Sequence, residues 1–195
     1  DKTVVTTGKD GRWIATVKSP AASFDPLSIS FDDGELTTIS NVLAGEVWVC
    51  AGQSNMEMPV KGFGQCPVVD YNKEILNAAD GIRSAKIPSR MSTRPLNDAE
   101  TSWRISSPET IAEFSATGYF FARTVREALN IPVGLIEANK GGSRVESWLD
   151  EDNLKKYTKE DLDSATMKDR FEWVFHYPLL WHHATFNPIL NYTVK

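Results

Sequence analysis

Glu46-Val47-Trp48-Val49-Cys50-Ala51-Gly52-Gln53-Ser54-Asn55-Met56 is the stretch on which the reading of this chain turns. Val47 to Ala51 carries no charge, as expected for a strand buried on both faces of a parallel sheet. Gly52 permits a tight turn or a close backbone approach. Gln53, Ser54 and Asn55 follow where a helix can begin, so Ser54 is expected at a helix N-terminus, with free backbone N–H groups and a positive dipole end. Two roles suit a serine there. It can cap the helix, or it can act as a nucleophile whose oxyanion meets donors already in position.

The flanking sequence supplies the rest of an α/β pattern. Ile82 to Ile87 and Val133 to Ala138 read as further parallel strands, and Tyr71 to Ala79 as a short helix. Phe114, Gly118, Phe121, Val125 and Ala128 are spaced four, three, four and three, which predicts a helix with that face toward the core. Strand, crossover helix and strand in this order point to a parallel sheet, in which ligands gather at the carboxyl ends of the strands. A second strand-to-glycine stretch, Ile136-Glu137-Ala138-Asn139-Lys140-Gly141-Gly142-Ser143-Arg144-Val145-Glu146-Ser147-Trp148, brings Gly141-Gly142 to the same edge as Ser54. Pro88 to Ser106 reads as a loop anchored by Trp103, and Met58 to Pro67 as an irregular segment suited to lining a cleft.

The two glycine stretches together resemble the sialate O-acetylesterase family within the SGNH (GDSL-like) hydrolases. That family carries Gly-Gln-Ser-Asn-Met and Gly-Gly-Thr-Arg-Ile-Glu-Ala-Trp or close variants, matched here by residues 52–56 and 141–148. The likeness continues through Ser107-Pro108-Glu109-Thr110, Phe114-Ser115-Ala116 and the run from Ala128 to Ile136, covering most of the chain from Gly45 onward.

The resemblance implies an α/β, three-layer SGNH-hydrolase domain (flavodoxin-like, with a parallel sheet) over residues 45–195, incomplete at its carboxyl end. Residues 1–44 are expected to form a β-sandwich-like segment before it, from strands at Arg12–Val17, Leu27–Phe31 and Leu36–Val42. Ser54 would be the nucleophile, with its own N–H and that of Gly142, or alternatively Gly141, as oxyanion donors. Gln53 and Asn55 would be hydrogen-bonding groups of the turn in reach of substrate. Arg144 would pair with Glu146 to brace the glycine turn or, alternatively, touch substrate.

The family's base, in an Asp-x-His or Asp-x-x-His motif, is expected in a carboxyl-terminal segment absent from this chain. A carboxyl-terminal fragment of the same gene product is therefore an expected second chain. The histidines present, His176, His182 and His183, stand outside that motif. The implied activity is removal of O-acetyl groups from a carbohydrate, either an O-acetylated sialic acid or an acetylated glycan such as xylan. The competing reading is a carbohydrate-binding protein on a degenerate esterase scaffold, to which the aromatic cluster Trp173, Phe175, Tyr177 and Trp181 would contribute.

Composition sets bounds. The 195 residues are 41% hydrophobic and 24% charged, ordinary for a globular protein. A net charge of −5 without a basic cluster argues against a nucleic-acid partner. No apolar run reaches membrane-spanning length, and no metal or phosphate-loop motif appears, so no cofactor is expected. Asp1 opens on no leader pattern; with the resemblance, the expected setting is secreted, periplasmic or lysosomal. Cys50 reads as a small buried hydrophobe, and a disulfide to Cys66 as the less favoured alternative.

Overall fold

The structure is a computed structural model, and it describes residues 2–170 and 172–192. Phe171 and the final Thr193-Val194-Lys195 lie outside the described residues. The chain divides into two compact units, Asp1–Gly45 and Glu46–Lys195.

In the first unit, β1 (Ser23–Asp32) pairs antiparallel with β2 (Leu36–Ala44). The alternating Leu27-Ser28-Ile29-Ser30-Phe31 forms the middle of β1, and the Asp-Asp-Gly sequence makes the turn. Arg12–Val17, expected as a strand, is irregular, because no described strand offers it a ladder. It attaches through a ring contact instead, Trp13 against Phe31 at 5.7 Å.

The second unit is mixed α/β, built on an open, mostly parallel sheet. Its strands are β3 (Glu46–Gly52), β4 (Ile82–Lys86), β5 (Arg104–Ile105) and β6 (Val133–Asn139), in the order β3-β6-β4-β5. β3, β6 and β4 run parallel, and the two-residue β5 adds antiparallel to β4. β5 lies inside the stretch expected as a loop; a pair of residues is too short to show alternation. The neighbouring Trp103 indole does act as an anchor, lying over Gly134 of β6.

The apolar strands are covered on both faces. Cys50, Ile82, Val133 and Leu135 pack with Phe114, Tyr119 and Ala122 on one side. Ile136, Val47, Val49 and Ile87 pack with Phe186 and Ile189 on the other. This two-sided burial is why the strands read as continuous apolar runs. Glu137 interrupts the pattern, but it is not left unpaired. One oxygen accepts hydrogen bonds from Ser84 Oγ (2.6 Å) and from the Ser115 N–H (3.0 Å), which ties β6 to β4 and to the helix that follows Ser115.

That helix belongs to the α-helical set α1 (Ser54–Glu57), α2 (Tyr71–Leu76), α3 (Ala116–Leu129), α4 (Glu151–Leu154) and α5 (Ser164–Arg170). Ser115 caps α3 by accepting from the Gly118 N–H, and Asn130 ends it in the left-handed conformation at φ 50°. The buried face of α3 is Ala116, Gly118, Tyr119 and Ala122; of the stripe the spacing predicted, Phe114, Gly118 and Val125 lie in or against the core, and Phe121 and Ala128 do not. Phe114 belongs to the preceding turn, Ala128 is exposed, and Phe121 is 41% exposed, its ring edge-on to Trp48. The core side of α3 takes the smaller residues and Tyr119, whose hydroxyl accepts from the Ala79 N–H at 2.9 Å. Cys50 and Cys66 are both free. Burial, with the Glu137 charge, pushes the Cys50 thiol up to about 12, so it packs as a neutral hydrophobe.

Candidate active site

Register brings the two motifs together. Gly52 of β3 lies opposite Asn139 of β6, so the turns beginning at Gln53 and Lys140 leave the sheet side by side. The Lys140 N–H donates to the Gly52 carbonyl at 3.0 Å. Gln53 occupies the N-cap position of α1, without a side-chain capping hydrogen bond, and Ser54 is the first helical residue, so Ser54 does not cap the helix.

The single turn of α1 is fastened from behind. The Ala116 N–H donates to the Met58 carbonyl at 2.8 Å, and Thr117 Oγ1 to the Asn55 carbonyl at 3.0 Å. The N-terminus of α3 thus holds the serine turn against the sheet edge. Ser54 is exposed, and its hydroxyl has no hydrogen-bond partner among the described residues.

Gly141 packs directly on this serine. A Cβ at Gly141 would stand 3.5 Å from both Cα and Cβ of Ser54, and 2.8 Å from Glu57 Oε2. Its N–H is already engaged, donating to Glu57 Oε2 at 2.6 Å. Gly142 has φ +76°, a conformation that a side chain disfavours, and its N–H meets no acceptor among the described residues. Of the two glycines, Gly142 is therefore the one whose N–H can receive a new acceptor.

The turn is held by polar groups on its far side. Ser143 Oγ donates to the Lys140 carbonyl at 2.6 Å and accepts from Trp148 Nε1 at 2.8 Å. Ser143 is buried, so this second serine of the motif is committed to structure. The Gln53 amide donates to the Ser143 carbonyl, joining the serine turn to the glycine turn. The Asn55 and Arg144 side chains are exposed.

A carboxylate that braces the glycine turn is Glu57, three residues after Ser54 on α1. Glu57 takes the Gly141 N–H on one oxygen and Lys140 Nζ on the other, at 3.2 Å. The sequence reading missed it. Its only signal there is an acidic residue directly after Met56, and its partners lie more than eighty positions away.

Among the described residues, none of the three histidines hydrogen-bonds to Ser54. His176 packs edge-on against Phe175, with ring centroids 4.7 Å apart. His182 and His183 adjoin each other, and each has a buried Nδ1 without a partner among the described residues. Burial holds His182 below the usual histidine range, against the upward pull of Asp150, and His183 adds to the lowering. Among the described residues, no group of three or more metal-ligating side chains converges. No described helix is long and apolar enough to cross a membrane.

Residues 44–182 match the family described as carbohydrate esterase, sialic acid-specific acetylesterase, which is well over half of the chain. The chain belongs to this family. Similar proteins include the sialate O-acetylesterases of Homo sapiens and Pongo abelii, each 27% identical over 172 residues. Those alignments take in 80% of this esterase-family chain but 31% of each relative, so the chain spans about a third of their length. A carbohydrate acetylesterase from Xanthomonas citri, known from its crystal structure, superposes with a TM-score of 0.80 at 27% identity, covering 95% of this chain and 39% of that one. Membership places the chain in a family of carbohydrate esterases. The open, mostly parallel α/β sheet agrees with that assignment.

Proposed function

We propose that this chain carries the nucleophile and oxyanion donors of a serine esterase that removes O-acetyl groups from carbohydrates. The observation that carries the reading is the exposed, unpartnered hydroxyl of Ser54 beside the Gly141-Gly142 turn. Ser54 Oγ attacks the acetyl carbonyl carbon, and the oxyanion rests on the N–H groups of Ser54 and Gly142. The C–O bond to the sugar breaks, and the sugar oxygen leaves as a protonated hydroxyl. Water then cleaves acetyl-Ser54 to acetate.

The proton on Ser54 Oγ needs an acceptor, and no described side chain hydrogen-bonds to it. We assign that role to an Asp–His pair from a carboxyl-terminal segment of the same gene product. The free edge of β3, unpaired among the described residues, offers that segment a place to add strands. An O-acetylated sialic acid and an acetylated xylan are the substrates to try.

The test is acetate release by the intact protein from both substrates. Alanine at His176, His182 or His183 is expected to leave kcat within about threefold of wild type, since a lost general base costs on the order of a hundredfold or more. Collapse of kcat in a folded variant of one of these three would identify that histidine as the base and overturn the assignment.

Glu57 is expected to act by positioning. Glu57→Ala releases the Gly141 N–H and Lys140, so the glycine turn can drift from Ser54. Small displacements of reacting groups are expensive, and kcat should fall about tenfold with little change in KM. Glu57→Gln keeps an oxygen for the Gly141 N–H and should recover most of the rate. A folded Glu57→Ala protein with unchanged kcat would show that the turn is held by other contacts.

A further inference from the structure

We propose that Trp173 and Phe175 form a stacking platform for a pyranose ring of the substrate, at the edge of the site that holds Ser54. The inference rests on the esterase reading above and deepens it by naming what holds the sugar. The aromatic residues of this region divide into two groups. Trp148, Trp181 and Phe186 pack on one another, with Trp148 stacked on Trp181 at 5.8 Å and edge-on to Phe186 at 5.5 Å. Trp181 is buried, and both indole N–H groups are used, Trp148 on Ser143 and Trp181 on the Phe175 carbonyl. That group is core. Trp173 is different, being 51% exposed while stacked on Phe175 at 5.7 Å and 29°.

Position gives this exposed stack its meaning. The Phe175 ring lies 3.4 Å from where a Cβ of Gly142 would be, and Gly141 in turn packs on Ser54. The aromatic pair therefore continues from the turn proposed to bind the oxyanion. The backbone beneath it is fixed: the Phe175 carbonyl accepts from Trp181 Nε1 at 3.1 Å, the Tyr177 carbonyl from Ser147 Oγ at 2.7 Å, and the Leu179 N–H donates to the Glu146 carbonyl at 3.0 Å. An aromatic ring held rigidly in water loses little conformational entropy on binding. Its electron-rich face attracts the polarised C–H bonds on the apolar face of a pyranose. An acetyl group alone spans only the catalytic turn, whereas the sugar that bears it extends past that turn, which is where Phe175 and then Trp173 stand.

The experiment measures binding and turnover separately in the intact protein. Isothermal titration of an O-acetylated sialic acid and of an acetylated xylo-oligosaccharide is run on Ser54→Ala and on Ser54→Ala with Trp173→Ala. The expected result is three- to tenfold weaker binding of at least one sugar on loss of Trp173, with most affinity retained in Trp173→Phe. In the Ser54 protein, Trp173→Ala should raise KM for that sugar by a similar factor. Its kcat, and its kcat/KM toward 4-nitrophenyl acetate, should not change. Equal affinities with and without Trp173, or no binding of either sugar to Ser54→Ala, would overturn the platform. If neither ester is hydrolysed but the Trp173-dependent affinity is present, the esterase reading fails and the platform stands.

Discussion

Ser54→Ala is expected to lower acetyl-ester turnover by the intact protein on the order of 10⁴-fold or more, with little effect on the thermal melt. Removing a nucleophile from a serine hydrolase leaves only the rate supplied by binding and the oxyanion donors. The fold should not notice the change. Ser54 is exposed, its hydroxyl makes no hydrogen bond among the described residues, and the N-cap position of α1 belongs to Gln53. Alanine is also the best helix former, so the first position of α1 tolerates it. A phosphonate probe directed at active serines should label the wild-type protein at Ser54 and leave Ser54→Ala unlabelled. Ser143 serves as the internal control, because it is buried and its hydroxyl is held by Lys140 and Trp148. Labelling at Ser143, or full turnover by Ser54→Ala, would remove Ser54 from the mechanism.

What could be read in the sequence, and what could not, follows the range of the interactions. The strand, glycine and serine at residues 47–54 are local: a charge-free run, a breaker and a helix start in direct succession. The same holds for Val133–Gly142. Their convergence could be anticipated because parallel strands deliver their carboxyl ends to one edge. Glu57 could not be anticipated, because its partners are set by the pairing of Gly52 with Asn139, and no short-range pattern reports that register. Arg144 and Glu146 suggest a bracing pair by proximity within one motif, whereas the Glu57 brace comes from the other strand's turn.

The face of α3 was legible only in part, for a related reason. Spacing located the helix, but counting from Phe114 began outside it, and the bulky Phe121 then drew the expected stripe off the true core face. The aromatic cluster shows the limit most clearly. Trp181 and Trp173 are equivalent letters in the sequence; one is buried with its N–H bonded, and the other lies half in solvent. That difference comes from the tertiary fold, and it separates core from candidate sugar contact.

Gly142→Ala and Gly142→Val are expected to lower kcat about a hundredfold or more, the usual effect of losing one oxyanion donor. Two physical effects contribute, and they can be separated. The first is backbone strain. At φ +76° a residue with a Cβ pays roughly 1–2 kcal/mol, and a β-branched one more. Both variants should melt at lower temperature, valine lower than alanine. The second effect is at the site. A Cβ here would stand 3.4–4.0 Å from the Phe175 ring, ordinary contact, so the first methyl fits. To escape the left-handed region, however, the turn must rotate, and rotation re-aims the Gly142 N–H, which is proposed to receive the oxyanion. The loss should therefore appear in kcat more than in KM, and the phosphonate should label Ser54 more slowly by a similar factor, since it too forms an anionic adduct. Gly141 provides the contrast. Its N–H is held by Glu57, and a Cβ there would meet Glu57 Oε2 at 2.8 Å, so Gly141→Ala should act by displacing Glu57 and resemble Glu57→Ala in its kinetics. A folded Gly142→Ala protein with wild-type kcat and wild-type labelling would show that the oxyanion is stabilised elsewhere.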